Sequence, residues 1–242
     1  FRAMPVPSPP HGTEFAKVVL ARWRRAREEG SVERSQVEEL LYQALETEMG
    51  GVKVYTTALR CVQNEDLKEE WEEYLEQTKN HERIMREVCQ KFGLDPKTET
   101  PGRQIVRDKG ASLVKAMEAA LKAGDPAAAE LVACECIVDA ETKDHQNWEL
   151  PGEVAKTLTG EEKKAITEAH DQVEDEEDEH LYHTQGWSRE LWLDHLGMTA
   201  VLPPPEEKKD VKTAIGAARA KSARKTMVRG SRKGGKPAPP EH

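Results

Sequence analysis

Residues 174–183 read EDEEDEHLYH. Runs of acids of this kind usually lie on the solvated face of a helix. Here, however, Glu177 and His180 stand three positions apart, which puts a carboxylate and an imidazole on one helix face, where both reach the same point in space. Followed in steps of three and four, that face carries Ile166, His170 and Val173 before the pair and Thr184 and Trp187 after it. It reads as an apolar stripe interrupted at its middle. Glu174, Asp175, Glu176, Asp178 and Glu179 are then the solvated remainder of the run.

Three further long helices can be laid on such stripes. The first runs through residues 31–63, with Ser31 or Ser35 as its cap, and presents Leu41, Leu45, Glu48, Val52, Tyr55 and Leu59. The second runs from Asn64 to a stop at Gly93 and presents Trp71, Leu75, Thr78, His81, Met85 and Val88. The short gap between them predicts an antiparallel hairpin. The third starts at Asp125 and Pro126, ends at Pro151 and Gly152, and presents Cys134, Val138, Glu141, His145 and Trp148. The fourth starts near Thr159 and holds the opening stretch.

Each stripe thus carries a polar group near mid-helix. A buried carboxylate is expensive unless it is paired or bound to a cation. Glu48, Glu141 and Glu177 on three stripes, with His81 and His180 on two, point to one shared site for metal ions. In di-metal four-helix bundles two helices each give a Glu and the other two each give a Glu-x-x-His pair. The second helix departs from this, because Thr78 stands three before His81; Gln77 or Glu82 are the residues near enough to compensate. In the third helix Glu141 is the first candidate and Asp144, one turn on, the alternative. His145 and His170 are expected in supporting or packing roles.

Composition agrees with an all-α protein. Aromatics make up 5% of the 242 residues and no strand pattern is present. Residues 94–110 hold two prolines and two glycines and read as a break, followed by an amphipathic piece at 111–124, so the two hairpins are joined by a long crossover. No window of 18 apolar residues occurs, which argues against a membrane span. Cys61, Cys89, Cys134 and Cys136 show no metal or disulfide spacing and suit free thiols in a reducing cytoplasm. The net charge of −9 hides an asymmetry: nine Lys or Arg and no acid lie between Val211 and Pro240, and the remainder holds 27 basic against 45 acidic residues. The expected organisation is a segment 1–30, partly disordered with a short helix at 13–30, a helical domain 31–200, and a basic disordered tail 201–242.

Several stretches resemble the ferritin-like superfamily. LEQTKNHERIMREVCQKFG (75–93) resembles the second helix of YciF-type proteins, and its EQTKNHERI the Glu-x-x-His helix of manganese catalases. ETEMGGVKVY (46–55) is similar to the first helix of bacterioferritin-like and rubrerythrin-like proteins, with Glu48 seven residues before Tyr55, and Glu141 stands seven before Trp148 in the same way. The resemblance covers about residues 35–190. It implies a ferritin-like four-helix bundle, assembled as a homo-oligomer, holding one or two Fe or Mn ions on Glu48, His81, Glu141, Glu177 and His180. It implies catalase-, peroxidase- or ferroxidase-like chemistry on dioxygen or hydrogen peroxide, as in oxidative-stress defence, with Tyr55 as a redox or proton-donating neighbour or a packed core residue. Thr78 leaves open a mononuclear or degenerate site. The alternative expectation is a stress-associated structural or DNA-binding protein whose basic tail, 211–240, contacts DNA or another anionic partner through phosphates.

Overall fold

A computed structural model describes residues 33–234, with side chains to residue 228. The helix expected at 13–30 lies outside the described residues. The remainder is all-α: α1 (Arg34–Ala58), α2 (Glu65–Lys91), α3 (Pro101–Ala123), α4 (Pro126–Ala155), α5 (Gly160–His195), a 3-10 turn at Glu207–Lys209 and α6 (Ala214–Gly234), with no strand among the described residues. No helix among them is long and apolar enough to cross a membrane.

Local chemistry sets the starts. Asn64 Oδ1 accepts from Leu67 N at 3.2 Å to cap α2, and Glu65 and Asp66 complement the positive end of the helix in its first turn. Asp125 caps α4 in the same way, with Pro126 following it at a position where a missing N–H is harmless. Glu130, 7% exposed, accepts from the backbone N–H of both Gln63 and Asn64 at 2.7 Å, so α4 holds the turn between α1 and α2 in place.

α1, α2, α4 and α5 enclose the interior, through contacts of α1 with α2 and α4 and of α5 with α2 and α4. Their apolar residues form two clusters instead of one. The first includes Tyr55, Leu67, Trp71, Ile137 and Trp187, from the end of α1, the start of α2, the first half of α4 and the end of α5. The second includes Leu41, Leu45, Met85, Ile166 and Val173, from the opposite ends of α1, α2 and α5, together with Trp148 of α4. Hence α1 and α5 run one way and α2 and α4 the other, and the midpoints of all four helices meet between the clusters.

Three elements differ from the sequence expectation. The crossover is a full helix, α3, lying across α1 and α4. Thr100 and Pro101, which read as a break, are its cap and first residue, and Thr100 Oγ1 accepts from Arg103 N at 3.1 Å. Gly102, also read as a breaker, marks a close approach to α1, since a Cβ there would lie 1.8 Å from Glu39 Oε1. α3 is locked by Arg103, 2% exposed, whose Nε and Nη2 donate to Glu46 Oε2 at 3.0 and 2.7 Å and whose Nη1 donates to the Pro96 and Thr98 carbonyls.

Next, α4 passes through Pro151 to Ala155. Proline removes one helix hydrogen bond, but Pro151 and Ala155 are buried, and that packing carries the helix one turn further.

Finally, residues 201–234, expected to be disordered, are a strap followed by α6. Arg189 grips Glu206 with two hydrogen bonds of 2.8 and 2.7 Å, and Glu190 accepts from Arg224 at 2.6 Å and from Val201 N at 2.9 Å. Gly186 lets the strap close down on α5, because a Cβ there would stand 2.8 Å from Glu206 Oε2 and 3.0 Å from Pro204 Cβ. Val211 and Ala220 are buried.

Candidate metal centre

The polar layer between the two apolar clusters is built by α1, α2, α4 and α5. It brings together Glu48, His81, Glu141, Glu177 and His180, each 3% exposed or less. They form two groups, Glu48–His81–Glu177 and Glu141–Glu177–His180, within each of which one ligand-type atom per residue lies within 4.8 Å of the others. Glu177 belongs to both.

The hydrogen bonds orient both imidazoles. His180 Nε2 meets Gln77 Oε1 at 2.7 Å; an amide oxygen only accepts, so Nε2 carries a proton and Nδ1 is the nitrogen turned toward the carboxyls. That Nδ1 has no hydrogen-bond partner and lies 3.5 Å from Glu141 Oε2 and 3.9 Å from Glu177 Oε1. His81 is held between two carboxyl groups, Glu177 Oε1 at 2.8 Å on Nδ1 and Glu176 Oε2 at 2.6 Å on Nε2. A neutral imidazole has one donor, so a second proton is shared within this trio. Burial, with Glu141 beside it, pushes Glu177 up to about 8, which makes it the natural holder of that proton near neutral pH.

The remaining carboxyls of the layer are raised as well. Glu48 is pushed well above its ordinary value by burial and by Asp144 and Glu177, against a 2.6 Å hydrogen bond from Trp148 Nε1. Asp144 is pushed well up by burial and by Glu177 and Glu141. Glu48 Oε2, Glu141 Oε2, Asp144 Oδ1 and Glu177 Oε2 are all buried without a hydrogen-bond partner. His81 and Lys143 offset only part of the push on Asp144. Oxygen and imidazole-nitrogen donors packed this closely, with lone pairs unanswered, fit a hard or borderline divalent cation and not a thiolate-seeking one.

The other sequence candidates border the two groups or lie outside them without belonging to either. Tyr55 is fully buried, edge-on to the His180 ring at 6.1 Å between centroids, and its hydroxyl has no hydrogen-bond partner. Burial and the neighbouring Glu141 push its phenol well up. Thr78 is 2% exposed and donates to the Tyr74 carbonyl at 2.8 Å. A Cβ on Gly51 would stand 3.0 Å from Thr78 Cγ2, so the place of the absent glutamate is filled by close packing. Gln77 serves His180 instead of replacing that glutamate, and Glu82 pairs with Arg86. His145 bonds Asp178 at 2.8 Å, and His170 faces Glu174 at 3.4 Å.

Two features escape the sequence reading. Glu176 is not simply solvated but holds His81 in place, and Asp178 is 15% exposed against His145. Tyr74, which no stripe included, packs its ring 4.1 Å from that of His180.

No protein-family model, curated protein or solved structure matches this chain. The functional reading therefore rests on the site itself.

Proposed function

We propose that this chain is a ferritin-like four-helix-bundle protein whose mid-bundle centre holds one or two Fe or Mn ions for chemistry on dioxygen or hydrogen peroxide. The observation that carries the reading is the set of buried, unpartnered ligand atoms, Glu48 Oε2, Glu141 Oε2, Glu177 Oε2 and His180 Nδ1, converging from three helices around Glu177. Uncompensated groups of this kind are costly in a folded interior unless a cation answers them. Order along the sequence supports the bundle type: a glutamate each from α1 and α4, a histidine from α2 and a Glu-x-x-His from α5.

The bound ions would supply the redox change and the polarisation of an oxygen ligand. The chain's part follows from its own contacts. Glu176 and Gln77 fix the rotation and tautomer of His81 and His180, as outer partners do for metal-bound imidazoles. Glu177 serves both positions. Trp148 orients Glu48, while Tyr55 and Tyr74 wall off water and bring a phenol to the edge of His180. The test is anaerobic loading with Fe(II) or Mn(II), desalting and elemental analysis. One or two ions per chain are expected; protein that emerges metal-free overturns the reading.

A second reading concerns α6. Arg219, Lys221 and Lys225 are exposed on it, whereas Arg224 is bound to Glu190. Cations displayed on an ordered helix without interleaved aromatics suit contact with nucleic-acid phosphates. Replacing the three with glutamine is expected to abolish binding to duplex DNA at low salt and to flatten its salt dependence. Unchanged binding by the triple variant would remove this reading.

A further inference from the structure

Between α4 and α5 lies a cavity of about 200 Å³ whose floor is formed by the two buried residues Trp148 and Glu177. We infer that this cavity is the route by which divalent cations reach the centre, with Glu149 and Glu174 collecting them at the mouth and Asp178 and His145 handing them inward to Glu177. This rests on the metal-binding reading above and adds a path and its residues.

Three observations carry it. The first is composition: the lining holds four carboxylates and two imidazoles and no Lys or Arg. Low-dielectric walls lined by one sign of charge concentrate ions of the other sign. The second is a graded burial along one face of α5. Glu174 is 58% exposed, Asp178 one turn on is 15% exposed, and Glu177 is 2% exposed. A cation moving inward thus loses water in stages while always facing an acid. The third is the end point. Glu177, which lines the cavity, belongs to both ligand groups, and its Oε2 is buried without a hydrogen-bond partner, so the route ends at a residue with an unanswered oxygen.

Two neighbouring cavities stand in different relations to this task. One of about 400 Å³ between α1, α3 and α4 sets Glu46 and Asp139 against Lys109 and Lys143 over a mostly apolar lining, so its charges balance and it has no net pull on a cation. Another, of about 580 Å³, shares Glu149, His170 and Glu174 with the route and lies at its outer end; its lining sets Glu149, Glu153, Asp171 and Glu174 against Lys156 and Lys163, which leaves it net acidic. Thr213 and Ala214, where α6 begins, close one side of the route, and the ion pair of Lys212 with Glu179 holds that corner against α5.

The experiment is anaerobic stopped-flow mixing of the full chain with Co(II), followed by quenching of tryptophan fluorescence, since Trp148 lies against both the route and Glu48. Two variants are compared with wild type: Glu174→Gln with Asp178→Asn, and Thr213→Trp as a plug. Both are expected to load about ten-fold more slowly, while final stoichiometry and the visible Co(II) spectrum stay as in wild type. The rate of the first variant also loses most of its dependence on ionic strength. Wild-type protein that takes up no Co(II) overturns the metal reading and the route together. Wild-type uptake matched at the same rate by both variants overturns the route alone.

Discussion

Replacing Glu177 with glutamine is expected to weaken cation binding at both ligand groups by more than about 100-fold while making the metal-free protein more stable at alkaline pH. Glu177 is the residue the two groups share, so no single other substitution reaches both. The stability effect has a definite sign. Burial raises the folded-state carboxyl from its ordinary 4.5 to about 8. Between those values the folded chain keeps a proton that the unfolded chain has released, and stability falls as pH rises through the window, by up to about 1.4 kcal/mol per unit for this group. Glutamine is neutral throughout and removes that slope. Metal-free Glu177→Gln should melt with wild type near pH 5 and above it near pH 8. Added Mn(II) should raise the wild-type melting temperature and leave the variant where it was. A variant that still binds ions with wild-type affinity would show that the centre lies elsewhere.

Arg103→Ala is expected to destabilise the fold by about 3–5 kcal/mol, the range for breaking one side of a buried ion pair, measured by denaturant unfolding. Five hydrogen bonds go with the guanidinium, two to Glu46, two to the backbone at Pro96 and Thr98, and one to Met49 Sδ. Glu46 keeps Arg107, whose Nε and Nη2 donate at 2.8 and 3.0 Å, which places the loss toward the lower end of the range. The pH signature is opposite to that of Glu177. Burial pushes Glu46 up, but Arg107 and Arg103 together outweigh it and hold the carboxyl below its ordinary value. Its contribution is present above about 4.5 and is lost as pH falls through the folded value, so the gap in stability between wild type and variant should narrow on acidification. A loss under about 1 kcal/mol would mean that Arg103 behaves as a surface residue.

What was legible in the sequence follows from what periodicity encodes. Glu48, His81, Glu141, Glu177 and His180 stood out because each interrupts an apolar face at similar depth, and the structure places them together. Glu176 was hidden because its neighbours are all acidic, and its link to His81 runs between helices, where no spacing within one helix records it. The start of α3 was misread because Thr-Pro-Gly serves equally as a break and as a cap followed by a first turn; the deciding partners, Glu39 and Glu46, sit about 60 residues earlier on α1. The strap and α6 were misread for a related reason. Their composition is that of a disordered tail, and the groups that order them, Arg189 and Glu190, belong to α5.

The split interior has a mechanical meaning. Each apolar cluster draws on all four enclosing helices and holds its own end of the molecule. Between the ends, His81 with Glu176 and Glu177, His180 with Gln77 and Trp148 with Glu48 tie the helices across a layer in which several carboxyl oxygens stay unanswered. Such an arrangement makes the polar layer a waist between two apolar units, where local opening is expected to be easiest in the metal-free chain. A cation bound at that waist would do more than complete a site. It would couple the two units, turning a chain that loosens in stages into one that unfolds as a whole.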